Sequence, residues 1–408
     1  MKIAMLNMTH NGSTGKIMLQ IAECARSFGN EVKTFTPVVY SKVEKMQRYE
    51  AENHFVWGTQ YESALHYYFG STLGLNGCFS FRGTKKLIAE LNKFKPDIIH
   101  LHNLHSFCIN LPLLFKYIKR NSIKVVWTLH DCWAFTGQCP YFTMINCDKW
   151  RNQCYNCPQL GIYPKSLIDN SKNMYLLKKK WFTNLDNVVL VTPSLWLAEL
   201  VKQSFLKNYP IKVINNGIDL KVFKPTMSDF RAKHNIPLSK KILLGVTFGW
   251  NKRKGLDVFL ELSNRLNDDL YQIVLVGTSK IIDENLPDNI ISINKTNNQG
   301  ELAEIYSAAD LFVNPTREDN YPTVNMESLA CGTPVITFRT GGSPEIIDST
   351  CGSVVECDDI DSLVIEIERI CTENVYSKFD CLSKAKNFDM NDKFKEYVEL
   401  YEDCTYRA

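Results

Sequence analysis

Short apolar runs alternate with amphipathic stretches along most of the chain. Apolar runs bounded by turn residues are typical of buried parallel strands, and the amphipathic stretches between them are typical of helices. In the first half, this alternation predicts a series of β/α units. The predicted strands are Lys2–Asn7, Glu31–Thr36, Asp97–Leu101, Lys124–Leu129, Val188–Thr192 and Lys212–Ile214, and the predicted helices include Lys16–Phe28, Thr84–Phe94 and Leu195–Phe205.

A segment with Asn-Gly and Pro turn signals, Asn215–Pro225, interrupts the alternation. Two successive β/α series predict an α/β fold with two Rossmann-like domains, each a doubly wound parallel sheet, facing each other across a cleft. The predicted domains are residues 1–225 and 226–390. A final helix is predicted near Asp392–Tyr401, and we expect residues 391–408 to pack back on the first domain. The strands of the second series are Lys241–Thr247, Tyr271–Val276, Ile290–Ile293, Leu311–Asn314 and Pro334–Thr337.

One stretch of the first domain lacks a regular pattern. From Tyr40 to Arg82 the chain is rich in aromatic residues but has no clear period. We interpret this stretch as a loop-rich insertion near a binding face.

The length of 408 residues agrees with two domains, and the charge is divided unevenly between them. Up to Pro225 there are 28 Lys and Arg against 14 Asp and Glu, a net charge of +14; the remainder has 19 against 30, a net charge of −11, and the two sum to +3. The first half is thus expected to meet an anionic lipid, a phosphorylated acceptor or nucleic acid, unless its basic surface is simply solvated.

The chain shows no sign of a membrane span or a secretion signal. Its first residues, MKIAMLNMTH, resemble a strand and lack the basic and apolar regions of a signal peptide. No apolar run approaches the roughly 20 residues that a transmembrane helix needs. We therefore expect a cytoplasmic protein. The basic first domain and the segment Lys178–Phe182 favour a peripheral contact with the anionic inner face of the cell membrane.

The most informative segment lies between Asp310 and Glu345. A predicted strand runs into a loop that ends at Asp319, and Glu327 follows eight positions later on a predicted helix. Unpaired backbone N–H groups at the start of that helix favour an anion such as a diphosphate. A second glycine-rich turn, Gly341-Gly342-Ser343-Pro344, opens the next helix in the same way.

The order of these motifs resembles the retaining glycosyltransferases of family four, which have the GT-B fold, and within them a capsule or exopolysaccharide (colanic-acid-type) subgroup. The resemblance rests on acid-x7-acid, Ala330–Val335 (ACGTPV) and Gly341–Glu345 (GGSPE). It implies that Asp319 contacts donor-sugar hydroxyls and that Glu327 binds the ribose diol. The first acid is usually Glu followed by Gly in the family, and Glu318, one position off register, competes with Asp319 for the role.

Upstream, the segment Gly249–Gly255 (GWNKRKG) matches the part of the family that binds the donor diphosphate. Lys254 corresponds to the family lysine, but the usual earlier arginine has no counterpart, which leaves Arg253 or Lys252 to replace it. A cation here stabilises the leaving diphosphate, so we expect catalysis to need no metal cofactor. The full set of predicted donor-binding residues is Glu327, Arg253, Asn320, Tyr321, Pro322, Thr323, Gly12, Gly15, Lys16, Gly277, Ile293 and Asn294, and the predicted catalytic residues are His130, Asp319 and Lys254.

Two features of the first domain support these assignments. Asn11–Lys16 (NGSTGK) follows the first strand like the family's glycine-rich loop, with Lys16 either an anion contact or a solvated helix residue. Histidines follow two later strands, in Ile98–His105 and Val125–Asp131. The family has a histidine at the place of His130, close to the reaction centre. Asp131 either orients His130 or caps the next turn.

Five cysteines lie together in the loop of residues 132–157. The last two, Cys154 and Cys157, have the short spacing of zinc ligands, and four thiolates (Cys139, Cys147, Cys154 and Cys157) could complete a structural zinc site. A disulfide-bonded loop and plain buried thiols are the alternatives. A catalytic metal is not expected, because all-thiolate sites are usually closed.

The sequence therefore predicts a glycosyltransferase that moves a sugar from a UDP- or GDP-sugar to a saccharide or lipid-linked saccharide, with retention of configuration, in surface polysaccharide biosynthesis. The reaction is expected to be a front-face displacement assisted by the departing phosphate. A nucleotide-sugar epimerase or hydrolase on the same fold is the first alternative. A non-catalytic nucleic-acid-binding module is the second, and the intact donor motif argues against a nucleic-acid partner.

Overall fold

The computed structural model describes residues 1–38, 52–105 and 107–406. Contacts divide the chain into two compact units: unit 1 comprises Met1–Ile214 and Phe394–Ala408, and unit 2 comprises Asn215–Lys393. The boundary between the two units by their contacts lies between Ile214 and Asn215, at the start of the Asn215–Pro225 segment. Within the described part of the chain, every helix is too short or too polar to cross a lipid bilayer.

Unit 1 contains a fully parallel sheet of seven strands in the order β3-β2-β1-β4-β5-β6-β7. All four residues from Ile3 to Leu6 on the interior strand β1 are completely buried, as expected for a sheet covered on both faces. The strands are β1 (Lys2–Leu6), β2 (Glu31–Pro37), β3 (His54–Trp57), β4 (Ile98–Leu101), β5 (Lys124–Thr128), β6 (Val188–Thr192) and β7 (Ile211–Val213). The helices before residue 214 are α1 (Gly12–Ser27), α2 (Gln60–Leu73), α3 (Phe81–Phe94), α4 (Leu111–Arg120), α5 (Ser171–Phe182) and α6 (Leu195–Lys202).

Unit 2 contains a parallel sheet of six strands in the order β10-β9-β8-β11-β12-β13. Successive residues face opposite sides: Leu244 and Phe312 belong to one core cluster, and their neighbours Leu243 and Val313 belong to the other. The strands are β8 (Lys241–Val246), β9 (Tyr271–Val276), β10 (Ile290–Ile293), β11 (Leu311–Asn314), β12 (Val335–Phe338) and β13 (Gly352–Val355). The helices are α7 (Phe230–Lys233), α8 (Leu256–Arg265), α9 (Lys280–Asp283), α10 (Gln299–Ala308), α11 (Thr323–Ala330), α12 (Ile360–Glu373) and α13 (Lys378–Ala385).

Both strand orders confirm the predicted pair of doubly wound parallel sheets. In unit 1 the order reverses between β1 and β4, and in unit 2 it reverses between β8 and β11. Connections on the two sides of such a reversal diverge, which leaves a crevice at the carboxyl ends of the strands where ligands bind. The loops after β8 and β11 are therefore the natural ligand site of unit 2.

The interpretation of Tyr40–Arg82 as a loop-rich insertion is wrong for its described part. Residues 54–57 form the edge strand β3, and residues 60–73 form α2; residues 40–51 lie outside the described residues. The helical period of α2 was hidden because the helix exposes large side chains such as Tyr61 and Tyr68. Its apolar residues therefore do not mark one buried face.

The last helix, α14 (Met390–Tyr406), packs on unit 1 from Phe394 onward. The residues whose spacing predicted it, Phe394, Tyr397, Val398 and Tyr401, are all buried. The Tyr401 hydroxyl lies 2.7 Å from Nδ1 of His100, and the Thr128 hydroxyl donates to the Tyr397 hydroxyl at 3.1 Å. Burial, followed by the nearby His130, lowers the pKa of His100 to about 3. His100 is thus a neutral core residue that anchors α14.

Candidate functional site

The loop after β8 is shaped by a short 3₁₀ turn at Lys252–Lys254. The side chain of Asn251 caps this turn, accepting a hydrogen bond from the Lys254 N–H at 3.1 Å. Gly255 ends the turn with φ +78°, and a Cβ there would lie 2.5 Å from the carbonyl oxygen of Pro315. Only glycine therefore lets the β8 loop approach the β11 loop this closely.

Lys254 and Asp319 meet where those two loops touch. The Lys254 ammonium donates to Oδ2 of Asp319 at 2.6 Å, and both side chains remain about one-fifth exposed. The other oxygen, Oδ1, accepts from the Asn320 N–H at 2.9 Å. Two residues 65 positions apart in sequence thus form a partly exposed ion pair at the switch point of the sheet.

Arg317 braces the same two loops, and the sequence did not single it out. Its guanidinium binds both carboxylate oxygens of Asp257, at 2.7 and 2.8 Å, and Asp358 at 2.7 Å, and it donates to the carbonyl of Lys252. These hydrogen bonds and charges raise the pKa of Arg317 despite the opposing effect of its burial. Its position in the sequence, directly before Glu318 and Asp319, is the feature from which a role at this site could have been predicted.

Neither proposed replacement for the missing arginine is placed as an obvious diphosphate ligand. The guanidinium of Arg253 donates to the carbonyl of Glu318 at 3.0 Å, while Lys252 is exposed. Glu318 itself is buried, with only 4% of its surface exposed. Asp319, at 22%, is the more accessible acid, which favours it over Glu318 as the residue that meets a ligand.

Glu327 lies on the second turn of α11, where the hydroxyl of Tyr306 donates to its Oε2 at 3.2 Å. Burial first, and then the charge of Glu327, raises the pKa of Tyr306, so the phenol keeps its proton at neutral pH. Asn320, Tyr321 and Pro322, which lead into this helix, are buried, and Thr323 is half-buried at its first turn. Tyr306 on α10 is a second residue that sequence reasoning missed.

The glycine-rich turn after β12 closes on the β11 loop. Gly341 has φ +54°, and a Cβ there would lie 1.6 Å from the carbonyl oxygen of Asp319. The Gly342 N–H donates to the carbonyl of Asn320 at 2.9 Å. The two motifs that the sequence placed 22 positions apart are therefore in direct backbone contact, and the β12 turn holds Asp319 in place.

The predicted base-binding residues lie at the ends of β9 and β10. Gly277 has φ +89°, and a Cβ there would lie 1.5 Å from the carbonyl oxygen of Thr247. Its N–H donates to the carbonyl of Ile293 at 2.8 Å, and the side chain of Thr278 donates to that of exposed Asn294 at 3.0 Å. These residues lie together at the neighbouring ends of β9 and β10, and Gly277 also lies against the end of β8.

In unit 1, the predicted glycine-rich loop follows β1 and opens α1. Gly12 and Lys16 are exposed, whereas Gly15 is buried, with a Cβ position only 2.4 Å from the backbone of His10. Asn7, which the sequence did not single out, fixes this loop: its amide donates to the carbonyl of Thr9 at 2.8 Å and to the Thr14 hydroxyl at 3.2 Å.

His130 lies at the carboxyl end of β5 with its ring stacked on that of His102. Nδ1 of His102 and Nε2 of His130 are 2.9 Å apart, and one of the two carries the shared proton. Burial lowers the pKa of His130 to about 4, although the charge of Asp131 opposes the shift. At neutral pH the imidazole is therefore uncharged, suited to hydrogen bonding and not to donating a proton as a strong acid.

Asp131 caps the turn that follows it, as one of the two predicted roles requires. Its Oδ1 accepts from the Trp133 N–H at 2.8 Å, while Oδ2 accepts from Asn103 at 3.1 Å and contacts Nε2 of His105 at 3.0 Å. Burial would raise the pKa of Asp131, but His105 and the Trp133 N–H together hold it below its ordinary value. The Tyr163 hydroxyl completes the chain, 2.7 Å from Nδ1 of His105.

The cysteines predicted as zinc ligands line a single recess of the loop after Asp131. Cys139, Cys147, Cys154 and Cys157 all border it, and all are free thiols. A hydrogen bond from Cys139 lowers the pKa of Cys157 to about 7. Among residues 1–38, 52–105 and 107–406, no three His, Cys, Asp or Glu side chains already surround a common metal position.

Comparison with known proteins gives the family. Residues 15–222 match the model described as Glycosyltransferase Family 4, and residues 227–392 match that described as Glycosyl transferases group 1. The chain belongs to glycosyltransferase family 4. This confirms the predicted family and transferase activity and removes the non-catalytic binding module from consideration.

Two relatives of this glycosyltransferase share less than 30% sequence identity with it. WcaC of Escherichia coli K12, whose name assigns it to colanic acid biosynthesis as a glycosyl transferase, is 23% identical over 75% of this chain and 76% of its own length. N-acetyl-alpha-D-glucosaminyl L-malate synthase of Bacillus anthracis is 27% identical over 62% of this chain and 58% of its own length.

Solved structures show the same fold. Sucrose-phosphate synthase from Thermosynechococcus elongatus superposes with a TM-score of 0.72 at 18% identity, covering 100% of both chains. Alr3699/HepE of Anabaena, solved in complex with UDP, superposes with a TM-score of 0.69 at 13% identity, covering 99% of this chain and 100% of that one. At these identities the likeness establishes the fold alone.

Proposed function

We propose that this glycosyltransferase transfers a sugar from a UDP- or GDP-sugar to a saccharide or lipid-linked saccharide, with retention, in surface polysaccharide biosynthesis. The observation that carries the proposal is the Lys254–Asp319 ion pair of 2.6 Å at the switch point of unit 2. The pair places a cation and a carboxylate side by side and partly exposed. The two loops that carry them, after β8 and β11, approach each other closely at Gly255. A nucleotide sugar offers each of them a partner.

Lys254 acts on the leaving group, which is the diphosphate of the donor. When the donor diphosphate binds, the ammonium exchanges the carboxylate of Asp319 for phosphate oxygens and stabilises the charge that develops there. Asp319, released from Lys254, accepts hydrogen bonds from hydroxyl groups of the donor sugar. The start of α11 faces an anion with its first N–H groups, which adds to the same stabilisation.

Glu327 binds the ribose diol of the donor. The Tyr306 hydroxyl donates to its Oε2 and orients the carboxylate, which accepts from a ribose hydroxyl when the donor binds. The adjoining ends of β9 and β10, with Gly277, Ile293 and Asn294, hold the base. Backbone contacts at such a turn discriminate weakly between uracil and guanine, so the proposal covers both donors.

The chemical step is a front-face displacement. The bond from the anomeric carbon to the phosphate oxygen breaks, and the bond to the acceptor oxygen forms on the same face of the sugar. The proton of the acceptor hydroxyl passes to the departing phosphate oxygen, so no protein carboxylate serves as nucleophile. His130, uncharged at neutral pH, hydrogen-bonds a donor-sugar hydroxyl. Because Lys254 stabilises the leaving diphosphate, the reaction needs no catalytic metal ion.

Two relatives support the choice of substrates. The name of WcaC places that protein in colanic acid biosynthesis, and HepE was solved with UDP-glucose as well as with UDP. Surface polysaccharides are commonly assembled on lipid carriers, which would bring this enzyme to the inner face of the cell membrane. The +14 charge of the first 225 residues favours an anionic membrane surface.

The structure changes which residues would meet that membrane. Lys178 and Phe182, in the segment predicted to contact it, are completely buried, so the segment as a whole cannot do so. Instead, α2 and the segment that follows the cysteine loop expose large apolar side chains side by side, joined by a 2.8 Å hydrogen bond from Leu167 N–H to the Ser71 carbonyl. We name this the apolar surface of unit 1: Tyr68, Leu73, Leu167 and Ile168.

A transfer assay tests the proposal. Purified enzyme is incubated with UDP- or GDP-sugars and a lipid-linked saccharide extract, and products are followed by mass spectrometry and by NMR of the new anomeric centre. A product larger by one sugar with the donor's anomeric configuration supports it. Free sugar alone, or an isomerised nucleotide sugar, would instead identify the hydrolase or epimerase. Inversion at the anomeric carbon would refute the front-face step.

A further inference from the structure

The recess in the loop after Asp131 contains groups that the proposed transferase reaction does not use. Four of its lining residues are the cysteines Cys139, Cys147, Cys154 and Cys157. Cys139 and Cys157 hydrogen-bond to each other, although 18 residues separate them. The loop around them has little regular structure besides two 3₁₀ turns, at Trp133–Phe135 and Lys149–Arg151. Buried aromatic residues of the loop, Trp133, Phe135, Phe142 and Trp150, pack in the core of unit 1 and hold Cys139, Cys147 and Cys154 close to it.

Backbone N–H groups donate to two of these sulfur atoms. The Gly137 N–H donates to Sγ of Cys154 at 3.2 Å, and the Gln159 N–H donates to the sulfur of Cys157. Backbone hydrogen bonds of this kind orient the sulfur atoms and are characteristic of the groups that surround metal-bound cysteines.

Two lysines lie beside the recess, and among the described residues no ion pair within 4 Å joins either of them to a carboxylate. Lys178, completely buried, donates to the carbonyls of Trp133 at 2.7 Å and Thr136 at 3.0 Å, with its ammonium 3.4 Å from the centre of the Trp133 ring. Lys149 lines the recess and donates to the carbonyls of Tyr155 and Asn156 at 3.1 and 3.0 Å. An ammonium group buried among carbonyls and an aromatic ring is stabilised further by an anion placed near it.

Charge balance identifies that anion. A divalent ion with four thiolates has a formal charge of −2, which two ammonium groups offset. Asp169, a nearby carboxylate, accepts from the backbone N–H groups of Cys157 at 2.7 Å and Ser171 at 2.9 Å, and its charge also interacts with that of Lys149. Zinc is the divalent ion that tetrahedral all-thiolate sites most commonly hold in proteins, and Cys154 and Cys157 have its short ligand spacing.

We propose that Cys139, Cys147, Cys154 and Cys157 bind one structural zinc ion and that Lys178 and Lys149 balance its charge. Because no described set of side chains already surrounds a metal position, the four thiols must rotate towards the recess when the ion binds. The proposal does not depend on the identity of donor or acceptor. Its consequence is local: the metal would fix the loop that runs from Asp131 to Tyr163, both of which contact His105.

Metal content of the full chain is the first test. Protein is purified under reducing conditions without chelator, and zinc, iron, cobalt, nickel and copper are quantified by mass spectrometry. The expected result is about one zinc per chain. Cys154→Ser should lower the zinc content to less than about one-fifth of that value, whereas Cys357→Ser, which removes an exposed cysteine of unit 2, should leave it unchanged. Wild-type protein that contains no zinc and cannot be loaded with it, or that contains iron with sulfide, overturns the proposal.

Cobalt gives a readout that does not require the cysteine variant to fold. Exchange of Co²⁺ into the wild-type protein should produce intense sulfur-to-cobalt charge-transfer absorption and the visible bands of a tetrahedral ion. An octahedral spectrum, or intact-mass evidence that the cysteines form disulfides, contradicts a tetrathiolate site.

The lysines have their own test. Lys178→Met keeps the length of the side chain but removes its charge, and it should increase the rate at which a chelator extracts zinc by about tenfold or more. Lys149→Gln tests the second cation if Lys178→Met does not fold. Lys179→Gln, on the exposed face of the same helix, is the control and should match the wild type. Unchanged extraction in the variant that folds would refute the role of that lysine.

Discussion

The two units differ in how their charged and titratable side chains are placed: unit 2 pairs them with opposite charges, and unit 1 buries several of them. Around the switch point of unit 2, charges are paired directly with one another: Lys254 with Asp319, and Arg317 with Asp257 and Asp358. Unit 1 contains seven of the eight histidines in the sequence and completely buries Lys178, which is held by carbonyl groups. Under the proposed function, the Lys254–Asp319 pair of unit 2 exchanges one ionic partner for another when the nucleotide binds. In unit 1, burial keeps His66, His100 and His130 neutral.

The largest effect is expected at Glu327. Glu327→Gln keeps the shape of the side chain but removes the charge that binds the ribose diol, and kcat/KM should fall by about a thousandfold. Glu261→Gln, on an exposed position of α8, is the matched control. Activity of Glu327→Gln within tenfold of the wild type would contradict the assignment of the donor site to unit 2.

Breaking the ion pair should separate binding from catalysis. Asp319→Asn frees Lys254 for phosphate and removes a nearby negative charge, so affinity for the nucleoside diphosphate should rise several-fold while kcat falls by about a hundredfold. Lys254→Met should weaken diphosphate binding instead. Calorimetry and steady-state kinetics measure both quantities. If Asp319→Asn weakened diphosphate binding as much as Lys254→Met, the two residues would not compete in the way proposed.

The sequence predicted unit 2 better than unit 1, for a physical reason. Asp319, Glu327 and the glycine-rich turn lie within one short stretch, so local spacing already predicted a phosphate-binding loop and helix. Arg317 and Tyr306 escaped notice because their roles depend on partners from other elements. In unit 1, the His102–His130 stack and the Asp131–His105–Tyr163 chain come from different strands and loops. No pattern along the chain records such contacts.

Acid should destabilise unit 1 through its histidines. Burial lowers the pKa values of His66 and His100 to about 3 and those of His54 and His130 to about 4. The unfolded chain protonates them near pH 6.5, whereas the folded chain does not, so stability is complete above that pH and is lost as the pH falls towards 4.

Each unit of pKa shift corresponds to about 1.4 kcal/mol, so the loss by pH 5 should be several kcal/mol. Tryptophan fluorescence reports it, because six of the seven tryptophans precede residue 214. Urea midpoints are compared at pH 7, 6 and 5. His54→Gln should reduce the loss between pH 7 and 5, and an unchanged midpoint in the wild type would argue against neutral buried histidines.

The smallest expected effect concerns the apolar surface of unit 1. The double variant Tyr68→Ser, Leu167→Ser should lower sedimentation with anionic vesicles about threefold, because it removes two side chains able to enter the interface. Leu238→Ser, which changes a leucine of unit 2 that is 91% exposed, is the control. If the wild type does not sediment with anionic vesicles at low salt, or if both variants behave alike, this surface does not dock on lipid.

The most direct test of the donor site is calorimetric titration of UDP, GDP and ADP into the wild type and Glu327→Gln. The account predicts that UDP or GDP binds in the micromolar range and that Glu327→Gln weakens that binding at least tenfold, since the ribose contact is lost. Thermal melting in the absence of ligand checks that the variant is folded. Binding of none of the three diphosphates, or equal affinity in the wild type and a folded Glu327→Gln, would contradict a nucleotide-sugar site at this position.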